Sequence, residues 1–143
     1  GRRIKRWRLN DEREQLLMKA SHINHPSGIW CRENDQNYYW LYKMWNYLCD
    51  EYTYRYGKTH ACARLEPILC YAPTNIREGQ FFAPTPAMPV DCKVVAENPV
   101  PGRKYDSLKS YHKYYVTQKV RFAKWKNRNI PEWFANASLS ISQ

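Results

Sequence analysis

Glu51 and Arg55 stand one helical turn apart, acid before base, within a stretch crowded with Trp and Tyr. A carboxylate held among rings can steady a developing cation or move a proton, and a guanidinium can hold a phosphate. Upstream, His22-Ile23-Asn24-His25-Pro26 sets two imidazoles beside an amide at a proline turn. Imidazole exchanges protons near neutral pH, and a turn packed on a rigid element is a common place for functional polar groups. Two histidines three residues apart also admit a metal, but no acidic or thiolate ligand stands at a recognised spacing, so no metal is expected. Glu51 and His25 are therefore the candidate catalytic groups, and Asn24 is a candidate donor to nucleic acid. An ion pair that braces a core, and histidines that fix a loop through backbone bonds, would use the same residues.

These groups need a scaffold. Asn34 or Asp35 can cap a helix, no proline follows until Pro67, and Gly57 can take the left-handed turn that ends it, which predicts a central helix over about 33–57. Tyr38, Leu41, Trp45, Leu48 and Tyr52 form one stripe, while Trp40, Tyr42, Met44, Tyr47 and Tyr54 cover much of the rest. Such a helix is expected to be surrounded, with Asn37 in need of partners. Before it, Asn10 should cap a short helix ending near Ala20, and Pro26 with Gly28 should make a turn. After it, Thr59 should cap a helix to about Tyr71, kinked at Pro67. Six prolines between Pro73 and Pro101 predict a long Pro-rich loop over about 73–104, with at most a short extended piece from Cys92 to Val95. A last helix is expected from about Tyr105 or Asp106 to Lys126, then Trp133 and Phe134 returning to the core, and a tail over 136–143. The predicted fold class is mainly α, a single-domain helical bundle spanning 1–143 with a basic arm over 1–9.

The formal charge of +10 is unevenly placed. Residues 1–30 carry 7 basic and 3 acidic side chains, 31–100 carry 7 and 8, and 101–143 carry 9 and 2. Basic ends predict a polyanionic partner, double-stranded DNA ahead of a membrane because no amphipathic helix offers a lipid-inserting face. Lys113, Lys119, Arg121 and Lys124 are the candidate phosphate contacts of the last helix. A merely solvated basic surface is the alternative. The five cysteines have no C-x-x-C spacing, which argues against a disulfide framework and a thiolate zinc site. No signal peptide or long apolar run is seen, so an intracellular protein without a cofactor is expected. The basic opening, with no element before residue 10, looks as though a segment precedes it.

Three runs, His22 to Pro26 with Trp30 and Arg32, Asn37 to Leu41, and Leu48 to His60, resemble a family of small phage proteins, which implies the host cytoplasm as the location. The Asn24-His25-Pro26 turn, followed by a helix that finishes in an acid, an Arg and a Gly, also resembles the pyrimidine-dimer DNA glycosylases of the endonuclease V type, over about a third of the chain. That resemblance implies an all-helical repair enzyme that extrudes a base and cleaves a glycosidic bond through an amine, with a carboxylate assisting. The family's N-terminal nucleophile and first-helix Glu have no recognisable counterpart around Gly1, Glu12 or Glu14. Arg32, Arg55, Lys58 and His60 join Asn24 as candidate DNA contacts, and Trp7, Trp40 and Tyr54 as candidate stacking rings. The expected function is a DNA N-glycosylase or lyase; the alternatives are a non-catalytic nucleic-acid-binding module and a virion or complex protein with basic arms.

Overall fold

A computed structural model describes residues 7–141, with side chains as far as residue 137. The part of the basic arm before residue 7 lies outside the described residues. The chain divides between Phe82 and Ala83 into two compact units. It is mixed α/β, and the expectation of a mainly α helical bundle with a Pro-rich loop over about 73–104 is overturned by a two-stranded antiparallel sheet in the second unit, which takes up the last part of that loop.

The first unit contains α1 (Arg13–Leu16), α2 (Pro26–Arg32), α3 (Asp35–Tyr56), a 3-10 turn (Ala61–Leu65) and α4 (Glu66–Leu69). Helix α3 has the expected ends: the Asn34 side chain accepts from the amide of Asn37, and Gly57 adopts φ +67°. Where a turn was expected at Pro26-Ser27-Gly28, the chain forms α2, with Pro26 in the first turn and the His25 side chain as its cap. The helix expected from Thr59 is instead capped by His60 and begins as 3-10, giving way to α4 at Glu66, just before Pro67.

The core of this unit is small and partly polar. Trp30 is buried with its ring edge on Trp40 and Phe81, and its indole N–H donates to the carbonyl of Phe82 at 2.8 Å. Asn37 is wholly buried and fully bonded: its amide nitrogen donates to the Trp30 carbonyl at 3.0 Å, and its oxygen accepts from the Phe82 amide at 3.0 Å. Asn34 donates to the carbonyl of Gln80, and Asp35 accepts from the amide of Gly79. The segment 77–82 is thereby stapled across the start of α3. Along the rest of α3 the expectation of a surrounded helix fails, since Tyr47 and Leu48 are 74% and 62% exposed. The unit has too little chain to cover every face, and tyrosines tolerate the water because their hydroxyls remain hydrated.

The second unit contains a 3-10 turn (Val90–Cys92), β1 (Val94–Val100), β2 (Arg103–Asp106), α5 (Ser107–Gln118) and α6 (Glu132–Ile141). The hairpin pairs Val94 with Asp106, Val95 with Tyr105 and Val100 with Arg103, with an irregularity between Val95 and Val100. Pro101-Gly102 makes its turn, Gly102 at φ +76°. Buried Ser110 ties α5 to the hairpin base, accepting from the amide of Val94 and donating to the carbonyl of Asp106. Helix α5 stops eight residues short of Lys126. Thr117 bonds back to the carbonyl of Lys113 at 2.7 Å, and β-branched Val116, Thr117 and Val120 disfavour further propagation. Trp133 and Phe134 do return inward: Trp133 stacks on His112 at 4.0 Å, and Phe134 is buried against Trp125. They do so as part of α6, which runs to Ile141 through most of the expected tail.

Candidate functional site

The C-terminal half of α3 and the 3-10 turn that follows it enclose a cleft of about 530 Å3. Trp45, Tyr52 and Tyr56 come from one face of α3 and bring rings to its wall, and Glu51 and Arg55 line it alongside them. Gly57 lets the chain reverse after α3, and His60 and Cys62 then close the other side. The Arg55 Nε donates to Glu51 Oε1 at 2.8 Å, both side chains being about three-quarters covered. The ring of His60 meets Tyr52 edge-on at 4.8 Å, and its Nδ1 accepts from the Cys62 amide at 3.1 Å, which in the neutral ring puts the proton on Nε2. Burial pushes the Cys49 thiol up from its usual range, and charge on neighbouring Cys62 would push it further. An aromatic wall with a carboxylate, a guanidinium and an imidazole suits a planar ligand with polar edges.

Of the residues anticipated from sequence, Glu51, Arg55 and His60 come together here. His25 is not among the residues lining the cleft: it caps α2, its Nδ1 accepting from the Ser27 amide at 3.2 Å. Trp30 fixes α2 near Asn37 and Trp40, whereas Glu51 lies eleven residues, about 16 Å, further along α3. Asn24 is exposed in the preceding turn, and Arg32 donates to the carbonyl of Ile23 at 2.7 Å, bracing that turn. Lys58 is exposed just past α3. Trp40 stacks on Phe81 as a packing residue, while Trp7 and Tyr54 are about half exposed. Sequence reasoning passed over Trp45, Tyr52 and Tyr56 as site residues, although their spacing on one stripe with Glu51 and Arg55 at its margin was the available signal.

In the second unit, Lys113 is exposed on α5, and Arg121 and Lys124 are exposed on the turns after it. Lys119 lies over the rings of Tyr114 and Phe122, at 5.1 and 5.9 Å. Phe122 is itself 75% exposed. Among the described residues, no group of three or more His, Cys, Asp or Glu is arranged to hold a metal ion, and no helix is long and apolar enough to cross a membrane. Comparison with known proteins finds no matching family model, no matching curated protein and no matching solved structure.

Proposed function

We propose that this protein binds nucleic acid, duplex DNA first, through phosphate contacts made by its second unit. The observation that carries the reading is the meeting of charge and bare ring there. Residues 83–143 hold ten basic and four acidic side chains, and water-exposed Phe122 follows Arg121 in the chain with the Lys119 ammonium 5.9 Å from its ring. Cations hold the phosphate backbone, and an exposed ring beside them offers a stacking surface. Titration of a labelled duplex at rising salt tests this. Affinity should fall steeply with salt, and salt-insensitive association would remove the reading.

A second reading, a base-processing glycosylase or lyase, rests on the Glu51 carboxylate in an aromatic cleft. A carboxylate there would steady a cationic sugar while rings held the base. Among the described residues the cleft lining holds no amine, so water attacks the sugar carbon as the glycosidic bond breaks and the free base is released from damaged duplex; an amine brought from elsewhere in the chain would instead form an imine that borohydride traps. Glu51→Gln should abolish turnover while binding and melting temperature are retained; a collapsed melting temperature would assign Glu51 to structure, and neither base release nor adduct over several lesions leaves a binding protein.

A further inference from the structure

The hairpin of the second unit ends in an apolar tip that its own fold does not use. Residues 97–102, Glu-Asn-Pro-Val-Pro-Gly, are all exposed, and Val100 at the crest leaves 51% of its surface to water. Pro99 and Pro101 flank it, which fixes φ on either side and holds the valine rigidly. The base of the hairpin is equally firm, because Ser110 bonds to Val94 and Asp106 from α5. Positive charge surrounds it. Arg103 and Lys104 follow the turn, and the Lys104 ammonium lies 5.5 Å from the centre of the Tyr105 ring. Glu97, three residues before Val100, is paired with Lys109 at 2.9 Å.

We infer that this hairpin is a wedge for the minor groove of duplex nucleic acid: Val100, stiffened by Pro99 and Pro101, enters between base steps while Arg103 and Lys104 take the flanking phosphates. A rigid apolar point among cations is the combination by which minor-groove proteins unstack a base step and kink the duplex. Charge complementarity selects this occupant over an apolar protein surface, which would leave Arg103 and Lys104 facing apolar groups. The inference rests on the nucleic-acid reading above and adds to it how the duplex is held.

The test uses the full chain with a short duplex that carries end labels for energy transfer and a fluorescent adenine analogue at a central step. The wild type should shorten the end-to-end distance and brighten the unstacked analogue. Val100→Ser, at an exposed tip position, should bind about tenfold more weakly with neither signal. Arg103→Ala with Lys104→Ala should flatten the salt dependence. Wild-type binding without distortion, or distortion that survives Val100→Ser, overturns the wedge and leaves the binding function standing. No wild-type binding even at low salt overturns both. If Pro99→Ala with Pro101→Ala causes self-association while distortion is unchanged, the prolines guard a sheet edge and the wedge is refuted.

Discussion

Replacing Lys113 and Arg121 together by Ala removes two exposed cations from the second unit, at positions where neither side chain is buried. Each phosphate contact releases close to one counterion, so six contacts, from Lys113, Lys119, Arg121 and Lys124 with Arg103 and Lys104 of the hairpin, give a slope of log K against log salt of about −5.4. Between about 50 and about 200 mM salt, that slope weakens binding about 1,800-fold. With four contacts left the slope is about −3.6 and the same change of salt costs about 150-fold. The assay is fluorescence anisotropy of a labelled duplex at several salt concentrations, with circular dichroism to show that both proteins are folded. A double variant that binds more weakly but keeps the wild-type slope would refute the reasoning, because its loss would not come from phosphate neutralisation. A wild-type slope near zero would refute the placing of these contacts altogether.

Asn37→Ala should destabilise the first unit by about 2 kcal/mol in denaturant unfolding, since it strands the Phe82 amide and takes one of two donors from the Trp30 carbonyl, which the Glu33 amide still serves. A loss under about 1 kcal/mol would mean that water replaces the amide. Gly79→Ala should cost about 1–2 kcal/mol, because an added Cβ would lie 2.7 Å from the Cβ of Asn34, on a side chain pinned at both ends. Alkali should also destabilise this unit. Burial raises the Cys31 thiol above its usual 9.0 and the Tyr38 hydroxyl above 10.0, so the folded chain keeps protons that the unfolded chain releases. Their contribution is complete below those ordinary values and is lost as pH rises past them, so unfolding midpoints should fall between about pH 8 and about pH 11. Cys31→Ser should remove the earlier part of that fall, and a flat profile would contradict the burial.

Helix α3 was legible because its signals are local: a capping Asn34, a terminal Gly57 and no proline between them. The hairpin was legible only in its first residues, where a short extended piece was expected at Cys92 to Val95, because the prolines that forbid a helix there also argued against a longer strand. Pro99 and Pro101 sit at the exposed crest, where no ladder bond is required of them, and Val94-Val95 with Pro101-Gly102 was the readable sign. Helix α2 was hidden by the double meaning of proline, which breaks a helix interior and favours its first turn. At the cleft, Glu51 and Arg55 could be paired from their spacing. That His60 joins them depends on the reversal after Gly57, whereas His25 faces a local amide that any histidine before Pro-Ser could find. The open face of α3 depended on how much chain was left to cover it, a quantity that helical periodicity does not contain.

Phe82 is gripped from both sides of a single residue, its amide by Asn37 and its carbonyl by Trp30. Tension applied along the backbone at Ala83 would therefore load two bonds in parallel, and neither could slip without the other. In a pulling experiment anchored at that point, segment 77–82 should resist as a clasp and release in one step. Rupture force, beyond what equilibrium stability records, is where Asn37 and Asn34 would declare themselves.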